Sequence, residues 1–121
     1  MTEAALERVL VCRVGSERFA LPVSAVRQVV AASPVTLLPG APEAVRGLAN
    51  VQGVLVTVLS GPRLLGKTPG APSEWLVVLG LCEGRVGIEV DEVEDVHEGS
   101  PDGLQLLELD ALIRPLIADR R

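Results

Sequence analysis

Aromatic rings are nearly absent from this chain of 121 residues: Phe19 and Trp75 are the only two, and there is no tyrosine. A core must therefore be assembled from Val, Leu, Ile and Ala. Hydrophobic residues make up 48% of the chain, which suits a globular protein rather than a disordered one. Cations are also scarce, 11 Lys and Arg against 16 Asp and Glu, for a net charge of -5. Nucleic acid is excluded as a partner, because phosphate binding needs clustered Lys and Arg and base stacking needs aromatic platforms. No run approaches the roughly 18 apolar residues of a membrane span, and "MTEAALERVL" carries acids where a signal peptide needs a basic start. The expectation is a cytoplasmic chain with no direct membrane insertion. His97 is the single histidine, and Cys12 and Cys82 have no CxxC spacing. No metal site and no cofactor are expected, and both thiols should be free and buried. The length allows one domain, 1–121, or two intimate half-size modules.

What the chain has instead is a repetition. Displaced by 67 positions, "RVLVCRVGSERFALPVSAVRQV" (8–29) falls on "WLVVLGLCEGRVGIEVDEVEDV" (75–96), with identities at Val11/Val78, Arg18/Arg85, Val23/Val90, Val26/Val93 and Val29/Val96. The apolar positions between them match as well, so a burial pattern is repeated, marking two subdomains. Each copy reads as a hairpin: a strand over 8–14, a turn at Gly15–Glu17 and a return strand from Arg18, with Glu83 and Gly84 at the second turn. Beyond each hairpin Val recurs every third residue, which fits a short helical turn passing into a strand; the plain expectation is that all six valines are core. A looser echo, offset by 50, sets "GVLVTVLSGPRLL" against "GLQLLELDALIRPL"; each is a strand ending in a helix-capping Ser60 or Asp110. The smaller offset leaves the second copy 17 residues shorter. Strands as apolar on both faces as "VLVTVL" (54–59) cannot lie on a sheet with one face in water, so two small curved sheets must cover each other, with antiparallel pairing the economical topology.

Three motifs invite an enzymatic reading. "GPRLLGKT" (61–68) fits the GxxxxGK[ST] phosphate loop, but Pro62 removes an amide and "PGAP" (69–72) forbids the helix that must follow. Six carboxylates between Glu89 and Glu98 suggest a cation site, yet Val90, Val93 and Val96 interrupt them at core spacing, so a solvated acidic face that meets a basic partner is expected. His97 has no GxSxG serine to activate. No catalytic residue is expected. An open strand edge would also suit an oligomer-forming protein.

The two hairpins, V-x-x-V ("VRQV"), the Pro-rich "LLPGAPEAVRG" and the following "RGLANVQGVLV" (46–56) resemble in order and spacing the CheW family, the adaptors that couple bacterial chemoreceptors to their histidine kinase. The resemblance covers nearly the whole chain. It implies an all-β fold of two intertwined, five-stranded SH3-like barrels, here with the second one shortened, plus short helical turns and a short C-terminal helix. It further implies a non-catalytic adaptor whose apolar groove grips the cytoplasmic hairpin of a methyl-accepting chemoreceptor. A second face would dock a CheA-type histidine kinase or another CheW-like protein.

Carried onto this chain, the groove would be built from Val26, Val29, Val45 and Leu48, with Gln28, Asn50, Gln52 and Gly53 at its edge. The departures are specific. The arginine of the family's N-x-R-G is Gln52 here, and the acid of V-x-E-I is Gln28. The family's P-V-x-D-L becomes Thr57-Val58-Leu59-Ser60-Gly61, and the missing residues fall between Val96 and Leu104. A charged pair is thus replaced by two amides, and the expectation is an adaptor that keeps its receptor but loses direct kinase docking. The alternative is an ordinary coupling protein that bridges receptor and kinase.

Overall fold

The computed structural model describes residues 8–68, 70, 73–80, 85–98, 105–106 and 113. Its elements follow the apolar runs: β1 (Arg8–Val14), β2 (Glu17–Pro22), one 3-10 turn (Val23–Ala25), β3 (Val26–Ala31), β4 (Val45–Val51), β5 (Val54–Ser60), α1 (Gly61–Leu64), β6 (Trp75–Leu79), β7 (Val86–Val90), β8 (Glu92–Glu98) and β9 (Gln105–Leu106). They form two sheets, β8-β1-β2-β9 and β3-β6-β7-β5-β4. The fold is all-β, two intertwined SH3-like barrels, as expected from the resemblance.

The strands are exchanged between the two halves of the sequence. The tail of the first hairpin, β3, pairs with β6 of the second, and the tail of the second, β8, pairs with β1 of the first. The ladders correspond rung for rung at the offset of 67: Val29↔Val77 and Val96↔Leu10, Gln28↔Val78 and Asp95↔Val11, Val26↔Leu79 and Val93↔Cys12. Even the bulge recurs, at Arg27 in one copy and at Glu94 in the other. The hairpin rungs agree too, Cys12↔Phe19 beside Leu79↔Val86.

Four expectations need correction. Pairing is not wholly antiparallel, because β5 runs parallel to β7 and β9 parallel to β2. Two halves that exchange strands must reach their partners by crossovers rather than by hairpins. Thr57 and Gln105 occupy equivalent rungs, so the second echo has a structural offset of 48 rather than 50; a slip of two residues keeps every side chain on its own face, which apolar patterning does not register. The helical turn expected after the second hairpin is only a bend at Asp91, although the first copy does form its 3-10 turn. And of the six periodic valines only Val90 is fully buried, since β3 and β8 are edge strands with one face open; Val29 and Val96 are exposed. The Glu83–Gly84 turn, Asp110 with most of its helix, Cys82 and the residues between Glu98 and Leu104 lie outside the described residues.

The central strands are apolar throughout because the five-stranded sheet buries both faces. On β6, Val77 and Leu79 join Leu10, Cys12, Phe19 and Leu21 of the other sheet in the larger core, while Leu76 and Val78 turn to a second cluster with Ala49, Val51, Val56 and Val58. That second cluster closes because the chain after β3 swings round to the far edge of the sheet. There Thr36 exchanges backbone hydrogen bonds with Leu48 of β4, 2.8 and 2.9 Å. Gly47 makes the crossing feasible: its φ is +146, and a Cβ there would overlap the carbonyl of Thr36. At the end of β5, Ser60 caps α1, its Oγ accepting a 3.2 Å hydrogen bond from the Arg63 amide, as the sequence indicated.

Candidate partner-binding site

The eight groove residues fall into two groups at opposite edges of the five-stranded sheet. The first is on β3. After Pro22 the 3-10 turn redirects the chain so that β3 lies against β6. Val26 packs on the larger core, Gln28 is half-buried, and Val29 presents its outer side to solvent at 37% exposure. Beside them, across from Ala31, Trp75 is 39% exposed. Neither the order of strands nor the repeat had marked Trp75 as a surface residue.

The second group lies on β4 and its turn. Val45 is core, 8% exposed and in contact with both sheets, so it lines no open groove. Leu48 is half-buried. Gln52 and Gly53 are the two central residues of the β4–β5 turn, with φ of +53 and +86, the pairing of positive angles that a type I′ hairpin turn requires. Asn50 stabilises that turn, its Oδ1 accepting from the Gly53 amide at 2.8 Å. Asn50, Gln52 and Gly53 therefore have structural roles at the hairpin tip, whatever they contact there. Among the described residues no hydrogen bond joins Gln28 to Gln52.

The tip also carries two exposed apolar side chains that sequence reasoning had placed inside, Val54 and Leu55, the latter 60% exposed; Leu37 is exposed as well. The "QG" dipeptide was the available signal, because the residues next to a two-residue turn project beyond the body of a small sheet. Apolar surface thus sits at both edges of one sheet, at Val29 and Trp75 on one side and at Leu48, Val54 and Leu55 on the other.

The acidic run is not a free solvated face. Glu89 is buried and pairs with Arg46 at 3.3 Å; burial raises its carboxyl above the ordinary range and the Arg46 guanidinium draws it partly back. Asp91 accepts from the Gly15 amide at 2.7 Å, Glu92 pairs with Arg13 at 2.8 Å, and Glu94 bridges Arg18 and Arg13 at 3.1 and 3.6 Å. These acids bind β8 and the bend before it to the first hairpin. His97 lies 3.8 Å from Asp95. Among the described residues no cluster of metal-binding side chains occurs.

The phosphate-loop match has the wrong order of elements. The helix occupies Gly61–Leu64 and so precedes Lys67 and Thr68, whereas phosphate binding needs a helix that opens at the Lys-Thr end. Lys67 is spent on Glu17, 3.5 Å away, across a shallow depression of about 230 Å³. Cys12 is fully buried, and burial together with the neighbouring Glu94 pushes its thiol up to about 12, far from the range of a reactive thiolate.

A doubled all-β scaffold that shows apolar edges and assembles no reacting group is the architecture of a binding protein. The CheW-like domain family matches residues 8–118, so the chain belongs to the CheW-like family, whose members are non-catalytic. It is 30% identical over 95 residues to the chemotaxis protein CheW of Rhizobium meliloti (strain 1021), covering 77% of this chain and 61% of that one. It is 28% identical over 86 residues to the probable chemotaxis protein CheW of Rhizobium etli (strain ATCC 51251), covering 69% and 56%. The chain thus spans between 56% and 61% of the length of these curated relatives. In three dimensions it is similar to the scaffolding protein TtCheW from Thermoanaerobacter tengcongensis, with a TM-score of 0.70 at 21% identity over 80% of this chain and 68% of that one. No helix among the described residues is long and apolar enough to cross a membrane.

Proposed function

We propose that this chain acts, as one cytoplasmic domain of two subdomains, as a non-catalytic adaptor of a bacterial chemosensory array. It binds the cytoplasmic hairpin of a methyl-accepting chemoreceptor and docks a CheA-type kinase weakly or not at all. The observation that carries the reading is the apolar surface left open at both edges of the five-stranded sheet, in a chain of this family. A helical hairpin tip with apolar ridges complements such a surface, and Val26, Gln28, Val29, Leu48, Asn50, Gln52 and Gly53 lie on or beside it. The loss of kinase docking is argued from Gln28 and Gln52, which supply hydrogen bonds where the family pattern supplies opposite charges. The shorter second half points the same way. In that shortening the chain resembles FrzB, the truncated CheW-like protein of the Frz chemosensory system that controls gliding reversals.

One observation favours an ordinary coupling protein instead: β6, β7 and β8 keep every rung of their counterparts in the first half. A pull-down against a receptor cytoplasmic fragment and the kinase regulatory domain, each alone and then together, separates the two. Capture by the receptor fragment alone is the expected result; capture by both baits makes the chain an ordinary coupling protein, and capture by neither rejects the adaptor. Val29→Glu, on an exposed edge position, is expected to weaken receptor capture about tenfold with circular dichroism unchanged.

A further inference from the structure

The exchange of strands leaves each chain with two outer edges that occupy equivalent places, β3 on one sheet and β8 on the other. Both present backbone that pairs on one side only, the condition under which a strand recruits another. Their outward side chains are Arg27, Val29 and Ala31 on β3, and, at the same three places, Glu94, Val96 and Glu98 on β8. The central residue of each triplet is an exposed valine, 37% for Val29 and 45% for Val96.

The flanking charges differ in sign, and two of them have no counter-ion. Glu94 is held by Arg13 and Arg18, but no described residue forms an ion pair with Arg27 or with Glu98. Set antiparallel about Val29 and Val96, the two edges place Arg27 opposite Glu98 and the valines against each other. A parallel setting would bring Arg27 to Glu94, which is already neutralised. Two β8 edges set antiparallel would oppose Glu94 to Glu98 and repel, so like edges are disfavoured where unlike edges attract.

We propose that copies of this chain associate head to tail, β3 of one copy adding antiparallel to β8 of the next. Because each copy carries one edge of each kind, the contact is heterologous and continues from copy to copy until a ring closes or a chain ends. The five-stranded sheet of one copy then runs on into the four-stranded sheet of its neighbour. Val29 is covered in this assembly, so self-association and the proposed receptor contact compete for it.

Sedimentation velocity of the intact protein over a concentration series, at low and high salt, tests this. The weight-average mass is expected to climb with concentration and to fall at high salt. Arg27→Glu and Glu98→Arg, neither of which belongs to the receptor set, are each expected to weaken association about tenfold, and the doubly reversed variant is expected to recover it. Circular dichroism checks that each variant folds. A strict monomer overturns the proposal, as does association that both single reversals leave unchanged. Loss of association in the double variant without recovery would equally reject the pairing of Arg27 with Glu98. Receptor capture, measured separately, is unaffected by these results.

Discussion

The two halves of this chain agree wherever side chains are buried and disagree wherever they are not. Phe19 and Val86 occupy the same rung and are both buried. Beyond the shared hairpins, the first half continues through Thr36 to β4 and closes its barrel, and no described residue of the second half repeats that step. The two edge strands diverge as well: β3 is half apolar with one cation, whereas β8 is acidic and bound to the first hairpin through Arg13 and Arg18. Register is over-determined by a core that buries both faces of a sheet, since any slip of one residue would turn every buried side chain outward. Edges carry no such constraint and are where partners, and therefore differences, accumulate.

Removing what only the first half possesses has the largest expected effect. Gly47→Ala sets a Cβ into the Thr36 carbonyl at a backbone angle that L side chains rarely adopt. The expected loss is about 3 kcal/mol or more, read as a drop in the thermal midpoint; a midpoint within a few degrees of the parent would show that the Thr36 crossing is dispensable. A smaller effect sharpens another difference, at the place where the first half has Pro22 and the second has the buried Glu89. Because burial holds the Glu89 carboxyl above its ordinary value of about 4.3, the folded state binds that proton more tightly than the unfolded state does. Its contribution is greatest below the ordinary value and is lost as pH rises through the raised folded one. Glu89→Gln is expected to remove that portion of the pH dependence, measured by urea unfolding from the ordinary carboxylate range upward; an unchanged profile would mean that Arg46 fully offsets the burial. The smallest effect is expected at the hairpin present only in the first half, where Gln52→Asn suits the positive φ better and should stabilise by about 0.5 kcal/mol. A destabilised Gln52→Asn variant would point to a contact made by the longer amide.

Much of this was legible beforehand. The 67-residue repeat carried both hairpins, the 3-10 turn of the first copy and the Ser60 cap, because alternation and capping are local signals. Partner choice was not legible: an apolar strand states that it is covered but not by which neighbour, so the parallel β5–β7 and β2–β9 pairs had no signature. The site was read less well for a related reason. Val23, Val26 and Val29 share a spacing, yet Val26 touches the core and Val29 is exposed, and only the position of β3 at a sheet edge distinguishes them. Val45 looked like a surface residue by its place after the Pro-rich loop and is core, while Val54 and Leu55 looked like core and stand at a hairpin tip. Asn50 and Gln52 were legible as polar points, but their backbone duty emerged only with the turn.

The exchange of strands also bears on how the molecule is made. When β1 and β2 leave the ribosome, the strands that flank them in the finished sheet, β8 and β9, are still to be synthesised, and β3 waits likewise for β6. Neither sheet can be completed from an N-terminal fragment, so the nascent chain must carry open apolar strands until late in its synthesis, when two sheets become available almost together.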